Sequence, residues 1–249
     1  MNGINRRQAG LALLACSALG ARAQAARKYA VLSLAGEHMT VVSFKPQTGS
    51  HMDANEREVI ALPDTSLDEA LVLAIEKELL KAHPGSQPQL IVPGGPAHYA
   101  NQSKFFDGED FRPNAALDVA FKQLPATHLI LVTRFRSSGG LKGVRTTSSG
   151  ARTLEGLGFY LDAGWREMRG NLKYESSGLL APYAHTRFSL VDLATHKLVK
   201  YEVSVASSVI DTPPGFRDPW QAVNTERKLQ ALQALLEAEA ARIVPGLIS

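Results

Sequence analysis

From residue 27 onward the chain alternates short apolar runs with polar breaks marked by glycine and proline. Residues 29–34 (YAVLSL) and 39–44 (MTVVSF) are rich in Val, Leu and aromatics and read as strands. Ala35-Gly36-Glu37-His38 between them predicts a tight hairpin. Residues 45–55 read as a loop and 58–62 as a third short strand. Ser66-Leu67-Asp68-Glu69 then reads as a capping box, in which the end residues cover orphan backbone donors of a first helical turn. Leu67, Leu71, Ala74, Ile75 and Leu79 recur at helical spacing, and His83-Pro84-Gly85 ends the pattern. QLIV (residues 89–92) predicts a short buried strand running into Pro93-Gly94-Gly95-Pro96. Residues 113–121 start a second helix, and THLILVTRF (127–135) is an apolar run of the kind buried on both faces of a sheet. The order strand, helix, strand, helix, strand predicts parallel neighbours.

Residues 136–157 lose all periodicity and hold five glycines and four serines, which predicts a mobile loop. GFYLDAGW resumes strand character, and RGNLKYESSGLLAPY is a second irregular stretch. A long hairpin follows over HTRFSLVDLATHKLVKYEVSVASSV, with Val199, Tyr201, Val203 and Val205 on one face. Asp218 and Pro219 suit the N-cap and first turn of a last helix. Its apolar stripe is Leu229, Leu232, Leu236, Ala240 and Ile243, and Pro245-Gly246 is its expected end. The expected class is α+β: a mixed sheet with parallel central strands, helices packed on it, a late antiparallel hairpin and a long C-terminal helix. Residues 27–246 are expected to form one domain.

The first 25 residues change the picture of charge and compartment. Arg6-Arg7 precede an apolar run from Ala9 to Gly20, and Ala21-Arg22-Ala23 is a small-x-small cleavage pattern. The paired arginines also resemble a twin-arginine export signal, with Ala9 departing from it. The chain is expected to be exported to the periplasm. Cys16, the one cysteine, allows two outcomes. Leu13-Leu14-Ala15-Cys16 resembles a lipobox, which would leave an outer-membrane lipoprotein facing the periplasm. Cleavage after Ala23 would discard Cys16 and free the protein. The formal charge of +3 rests on 27 basic and 24 acidic residues, and three of the basic ones lie in the leader. The remainder balances at 24 against 24, so net charge offers no case for nucleic acid or a membrane surface. No later stretch of 18 apolar residues predicts a transmembrane helix.

The hairpin FSLVDLATHKLVKYEVSVASSV resembles the late hairpin of bacterial envelope lipoproteins related to the curli secretion protein CsgG and the N-terminal domain of TolB. There an apolar strand runs into Asp-x-x-Thr-Gly-(Lys/Glu) and then a second apolar strand. Asp192, Thr195 and Lys197 match that turn, and His196 stands where the family usually has Gly. The resemblance implies an envelope-associated α+β domain used for assembly or binding without catalysis.

Motifs that carry known chemistry are scarce in the chain. The chain has no G-x-S-x-G, H-E-x-x-H, Cys pair, G-x-x-x-x-G-K-[ST] or G-x-G-x-x-G. No cofactor or catalytic residue is expected, and the reading leans away from an enzyme. Two segments are ligand candidates. In VPGGPAHYANQ, Gly94 and Gly95 leave room for backbone amides to meet an anion beside His98 and Tyr99. In the glycine-serine segment, Arg134, Lys142 and Arg145, with Arg136 and Arg152, form a basic run without an acid. His38, His51, His98 and His128 could meet with Asp53 or Asp107 at a metal only if the fold brings them together. The expected partner is an envelope protein or an anionic small ligand. The competing readings are a periplasmic hydrolase or a small-ligand or metal-binding protein with its site near Gly94, Gly95 and His98.

Overall fold

The computed structural model describes residues 27–45, 55–138, 141, 153–165, 168–169, 172–173 and 178–249. Among them the elements are β1 (Tyr29–Ser33), β2 (His38–Ser43), β3 (Glu56–Ala61), α1 (Ser66–Ala82), β4 (Gln89–Ile91), α2 (Pro96–Tyr99) and a 3-10 turn (Gln102–Lys104). Next come β5 (Phe106–Asp107), β6 (Asp110–Phe111), α3 (Ala115–Lys122), β7 (His128–Arg134), β8 (Arg136–Ser137) and β9 (Leu154–Asp162). The chain ends with β10 (Met168–Arg169), β11 (Leu172–Lys173), β12 (Leu179–Asp192), β13 (Lys197–Ser207) and α4 (Thr225–Ile248).

The fold is α+β, built on an 11-stranded mixed sheet. Its organiser is β12. The first half of β12 pairs antiparallel with β9, from Leu179 opposite Asp162 to His185 opposite Gly156. Its second half pairs antiparallel with β7, from Thr186 opposite Arg134 to Asp192 opposite His128. Each half continues into its own group of strands. Beyond β7 lie β1 and then β4, all parallel. Beyond β9 lie β2, parallel, and β3, antiparallel. The other edge of β12 carries β13, from Tyr183 opposite Ser207 to Asp192 opposite Lys197.

β1 and β7 read as continuous apolar runs because both are internal strands covered on two faces, and all five residues of β1 are buried. One face meets α1 and α4, where Val31, Ile130, Phe159, Phe188 and Leu190 pack against Leu71, Ile75, Leu236 and Ile243. The other face carries Leu32, Leu129 and Leu131 under Phe105, Phe111, Leu117 and Phe121. All five residues of the predicted α1 stripe are buried. No described helix is long and apolar enough to cross a membrane.

Several local expectations are corrected. β1 and β2 form no hairpin: β1 bonds β4 and β7, while residues 35–37 carry the chain across to the β2–β9 group. Ser66 does not cap α1. It is the first helical residue after Thr65, its amide goes to Asp64, and Asp68 turns into the core. β4 is an edge strand with Gln89 and Leu90 exposed. The irregular reading of 136–157 is cut back by β8 and by β9, which starts at Leu154; residues 139–140 and 142–152 lie outside the described ones. Likewise β12 takes Leu179–Tyr183 from the second irregular stretch.

α4 starts at Thr225, capped by Asn224 accepting from the Arg227 amide at 2.8 Å. Asp218 instead closes a separate turn by accepting from the Trp220 amide. Pro245 lies inside α4 on its exposed side. The helix survives the lost N–H because Leu247 and Ile248 are buried beyond it.

The hairpin turn follows its sequence. Asp192 accepts from the amides of Ala194 (2.8 Å) and Thr195 (2.9 Å), and His196 adopts φ 53°.

Candidate functional site

In sheets of this kind ligand sites form beyond the carboxyl ends of parallel strands. Here those ends belong to β4, β1 and β7, and they bring together residues 33–38, 93–99 and 134–136 with the start of α1.

The centre of this cluster is Asp68. Its side chain accepts from the Ser33 hydroxyl, from the backbone N–H of Ala35 and of Gly36 at 3.0 Å each, and from the Tyr99 hydroxyl at 2.7 Å. The chain approaches closely here: a Cβ on Gly36 would stand 2.8 Å from an Asp68 oxygen. Burial holds the Asp68 carboxyl above its ordinary range, although all four donors pull it back. Burial and the hydrogen bond to Asp68 push the Tyr99 hydroxyl up as well.

A second group borders the first. The Arg134 guanidinium meets Glu37 at 3.1 Å and His38 at 2.7 Å. Burial and then the Arg134 charge push the His38 imidazole down. Gln102 ties the groups together, donating to the Leu34 carbonyl at 2.8 Å and accepting from the Arg134 amide at 3.2 Å.

The sequence-derived residues are placed as follows. Gly94 and Gly95 lead into α2, with Gly95 at φ 149°, where side chains are disfavoured. The His98 ring lies over Gly94, its Nδ1 at 3.4 Å from the Gly95 carbonyl. Tyr99 is buried on Asp68, and Arg134 is paired with Glu37. Four of these five residues belong to the segment 94–99, and Tyr99 and Arg134 both reach the Asp68 cluster. Lys142, Arg145 and Cys16 lie outside the described residues. α2 is a single turn, so it adds little dipole for an anion at Gly94 and Gly95.

His38 opens β2, His98 lies in α2 and His128 opens β7. Among the described residues no three His, Cys, Asp or Glu side chains are close enough to hold a metal ion. His51 and Asp53 lie outside them. A cavity of about 950 Å³ opens at the opposite end of the parallel strands, lined by Arg27, Tyr29, His83, Ser86, Gln89 and Ser249.

Sequence reasoning missed Asp68, Ser33 and Gly36. One signal was present: Asp68 stands three, four and seven residues before Leu71, Val72 and Ile75, on the apolar face of α1. A carboxylate there must be buried.

Asn114 fixes the 96–100 segment to α3. Its side chain accepts from the Leu117 amide at 3.1 Å and donates to the carbonyls of Ala97 (2.9 Å) and Ala100 (3.1 Å). Asn114→Ala is expected to lower stability by about 2 kcal/mol, the upper end for a helix cap, because carbonyl partners are lost with it. Urea unfolding measures this, and Asn114→Asp should recover only part of it, since a carboxylate caps but cannot donate.

No protein-family model and no curated protein matches the chain. Solved structures similar to it include the following two. Protein XCC0632 of Xanthomonas campestris, of the DUF330 family, is 11% identical with a TM-score of 0.40, covering 89% of this chain and 84% of that one. The hypothetical protein CT253 of Chlamydia trachomatis is 14% identical with a TM-score of 0.33, covering 89% and 98%.

Proposed function

We propose that this chain is exported through its N-terminal signal and docks on another component of the bacterial envelope without catalysing a reaction. The observation that carries the docking part is the outer strand of the hairpin. Among the described residues the outer edge of β13 is paired only at its start, Lys197 opposite Asp110. Along that edge Val199 is 48% and Tyr201 55% exposed, and Val203 and Val205 continue the same face. Unpaired strand edges with apolar side chains are sites where another chain adds a strand.

The inner face of β13 supports the same reading. It is held by polar contacts to α4: Glu202 with Arg242 at 2.9 Å, Ser204 with Glu239 at 2.7 Å, and Lys200 with the Gly246 carbonyl at 2.5 Å. The side chains most suited to a core therefore face outward. On the chemical side, the most buried carboxylate of the cluster spends its oxygens on holding three loops together.

The test places a photo-crosslinking residue at position 201 or, as a control, at the exposed Lys77 of α1. Irradiation of intact cells should give one discrete heavier adduct from position 201 and none from position 77. Equal labelling at both positions, or retention of the whole chain in the cytoplasm, overturns the reading. The intact mass of the exported form separates its two versions: a start at Gln24 gives the free protein, and a diacylglycerol adduct on Cys16 gives the tethered one.

A further inference from the structure

The half-buried arginines among the described residues are Arg27, Arg134 and Arg187. Arg27 donates to the Ile248 carbonyl, and Arg134 meets Glu37. Arg187 has neither an acid nor a hydrogen-bond acceptor among the described residues. Its Nε is buried and without a partner. Its guanidinium carbon lies 4.4 Å from the centre of the Phe106 ring and 4.3 Å from that of Tyr201. Two aromatic faces from two different strands, β5 and β13, therefore clamp the guanidinium plane and leave its donors unused.

The surroundings point the same way. Alternation along β12 puts Ser189 on the same face as Arg187, and Tyr201 lies opposite Ser189 in the ladder. The Ser189 residue is fully buried and its hydroxyl has no partner. A half-buried cation without a counter-charge beside it, a buried Nε–H without an acceptor and a buried hydroxyl without a partner all leave hydrogen-bonding capacity unused. An acceptor that carries negative charge serves all three. His185, next on this face, has no donor to spare, because its Nδ1–H donates to a backbone carbonyl. Its Nδ1 lies 3.2 Å from the Leu154 carbonyl, and burial keeps the ring neutral by pushing its pKa down.

We propose that Arg187 anchors a binding site for an oxyanion, a carboxylate or phosphate group, with Phe106 and Tyr201 as its walls and Ser189 beneath it. The planar fork of a guanidinium matches two oxygens of such a group, and the rings hold that fork in place before the ligand arrives. The exposed side of Tyr201 and the neighbouring Val199 offer a surface for an apolar body attached to the anion. The inference goes beyond the docking reading, and small-anion binding can fail while position 201 still crosslinks to a protein.

The test uses the ¹⁵N-labelled protein and follows the Nε–Hε resonance of Arg187, identified by its loss in Arg187→Lys. Sodium phosphate, acetate and phenyl phosphate are titrated against chloride at constant ionic strength. The expected result is a saturable shift with an oxyanion and none with chloride. Arg187→Lys should weaken binding at least tenfold, followed through neighbouring backbone amides, and Tyr201→Ala several-fold. Saturation by phenyl phosphate at lower concentration than phosphate identifies an anion carried on an apolar body, and equal saturation identifies a bare one. Shifts that stay linear, that chloride reproduces, or that persist in Arg187→Lys mean an adventitious ion only and overturn the proposal. If Arg187→Lys does not fold, Tyr201→Ala decides alone, because Tyr201 is exposed. Unchanged affinity in that folded variant overturns the proposal.

Discussion

Asp68→Ala is expected to cost about 3 kcal/mol or more, and Asp68→Asn is expected to cost little or to stabilise. The alanine variant strands two backbone N–H groups and the hydroxyls of Ser33 and Tyr99 in a site closed to water. Buried donors left without acceptors cost about 1–3 kcal/mol each, less whatever the site recovers by admitting water. Asparagine keeps the geometry. One Asp68 oxygen accepts from Ser33, Ala35 and Gly36, which an amide oxygen does equally well. The other meets the Tyr99 hydroxyl, which can accept from an amide N–H instead. The substitution also removes a charge from a buried position.

The pH dependence has a definite sign. Folding raises the Asp68 pKa above its ordinary 3.8, so the folded state holds the proton more tightly than the unfolded chain. Stability from this group is therefore full below about 3.8 and declines as pH rises toward the raised folded value, after which the loss is constant. Urea unfolding from pH 3 to 7 should show wild type falling relative to Asp68→Asn across that window. Wild type rising relative to the asparagine variant would show that the hydrogen bonds, not burial, dominate the carboxylate.

Gly158→Ala is expected to prevent stable folding or to cost about 3 kcal/mol or more. Gly158 lies in β9 opposite Thr40 of the parallel neighbour β2. A Cβ there would stand 1.9 Å from the Thr40 carbonyl oxygen and 2.6 Å from the Tyr183 hydroxyl. Tyr183 is fully buried and donates to that same carbonyl at 3.2 Å. Neither neighbour can yield, one being backbone and the other a large core side chain. The variant Gly215→Ala is the control: its φ of 98° is also strained for alanine, but no atom crowds its Cβ. Thermal unfolding should place Gly158→Ala far below Gly215→Ala. Equal midpoints would show that β2 and β9 separate at little cost.

Short-range pattern made much of the fold legible. The α1 stripe and the buried run of β7 follow from residues whose burial is set by their own element, and the alternation of strands and helices implied parallel neighbours, as β4, β1 and β7 are. The turn after β12 follows because the Asp192 carboxylate accepts from backbone amides two and three residues on. The failures have the opposite character. Ala35-Gly36-Glu37-His38 has hairpin composition, but β1 finds neighbours 59 and 99 residues away, at Gln89 and His128. Asp218-Pro219 has good cap chemistry, yet the helix starts later, where Leu232 and Leu236 can reach the sheet.

For the candidate sites the division is sharper. Composition and glycine content marked Gly94, Gly95, His98, Tyr99 and Arg134 as candidates, because loop chemistry is written in neighbouring residues. The environment of each was decided elsewhere. Glu37 neutralises Arg134, Asp68 takes Tyr99, and Phe106 and Tyr201 close on Arg187 from strands about 80 and 14 residues away in sequence. By itself the sequence determined which residues are apolar, which segments become helices, and which side chains carry charge or donors. The tertiary structure alone decided which charges are cancelled and which stay open. Pairing of that kind depends on contacts distant in the chain, and hydrophobic periodicity contains no information about them.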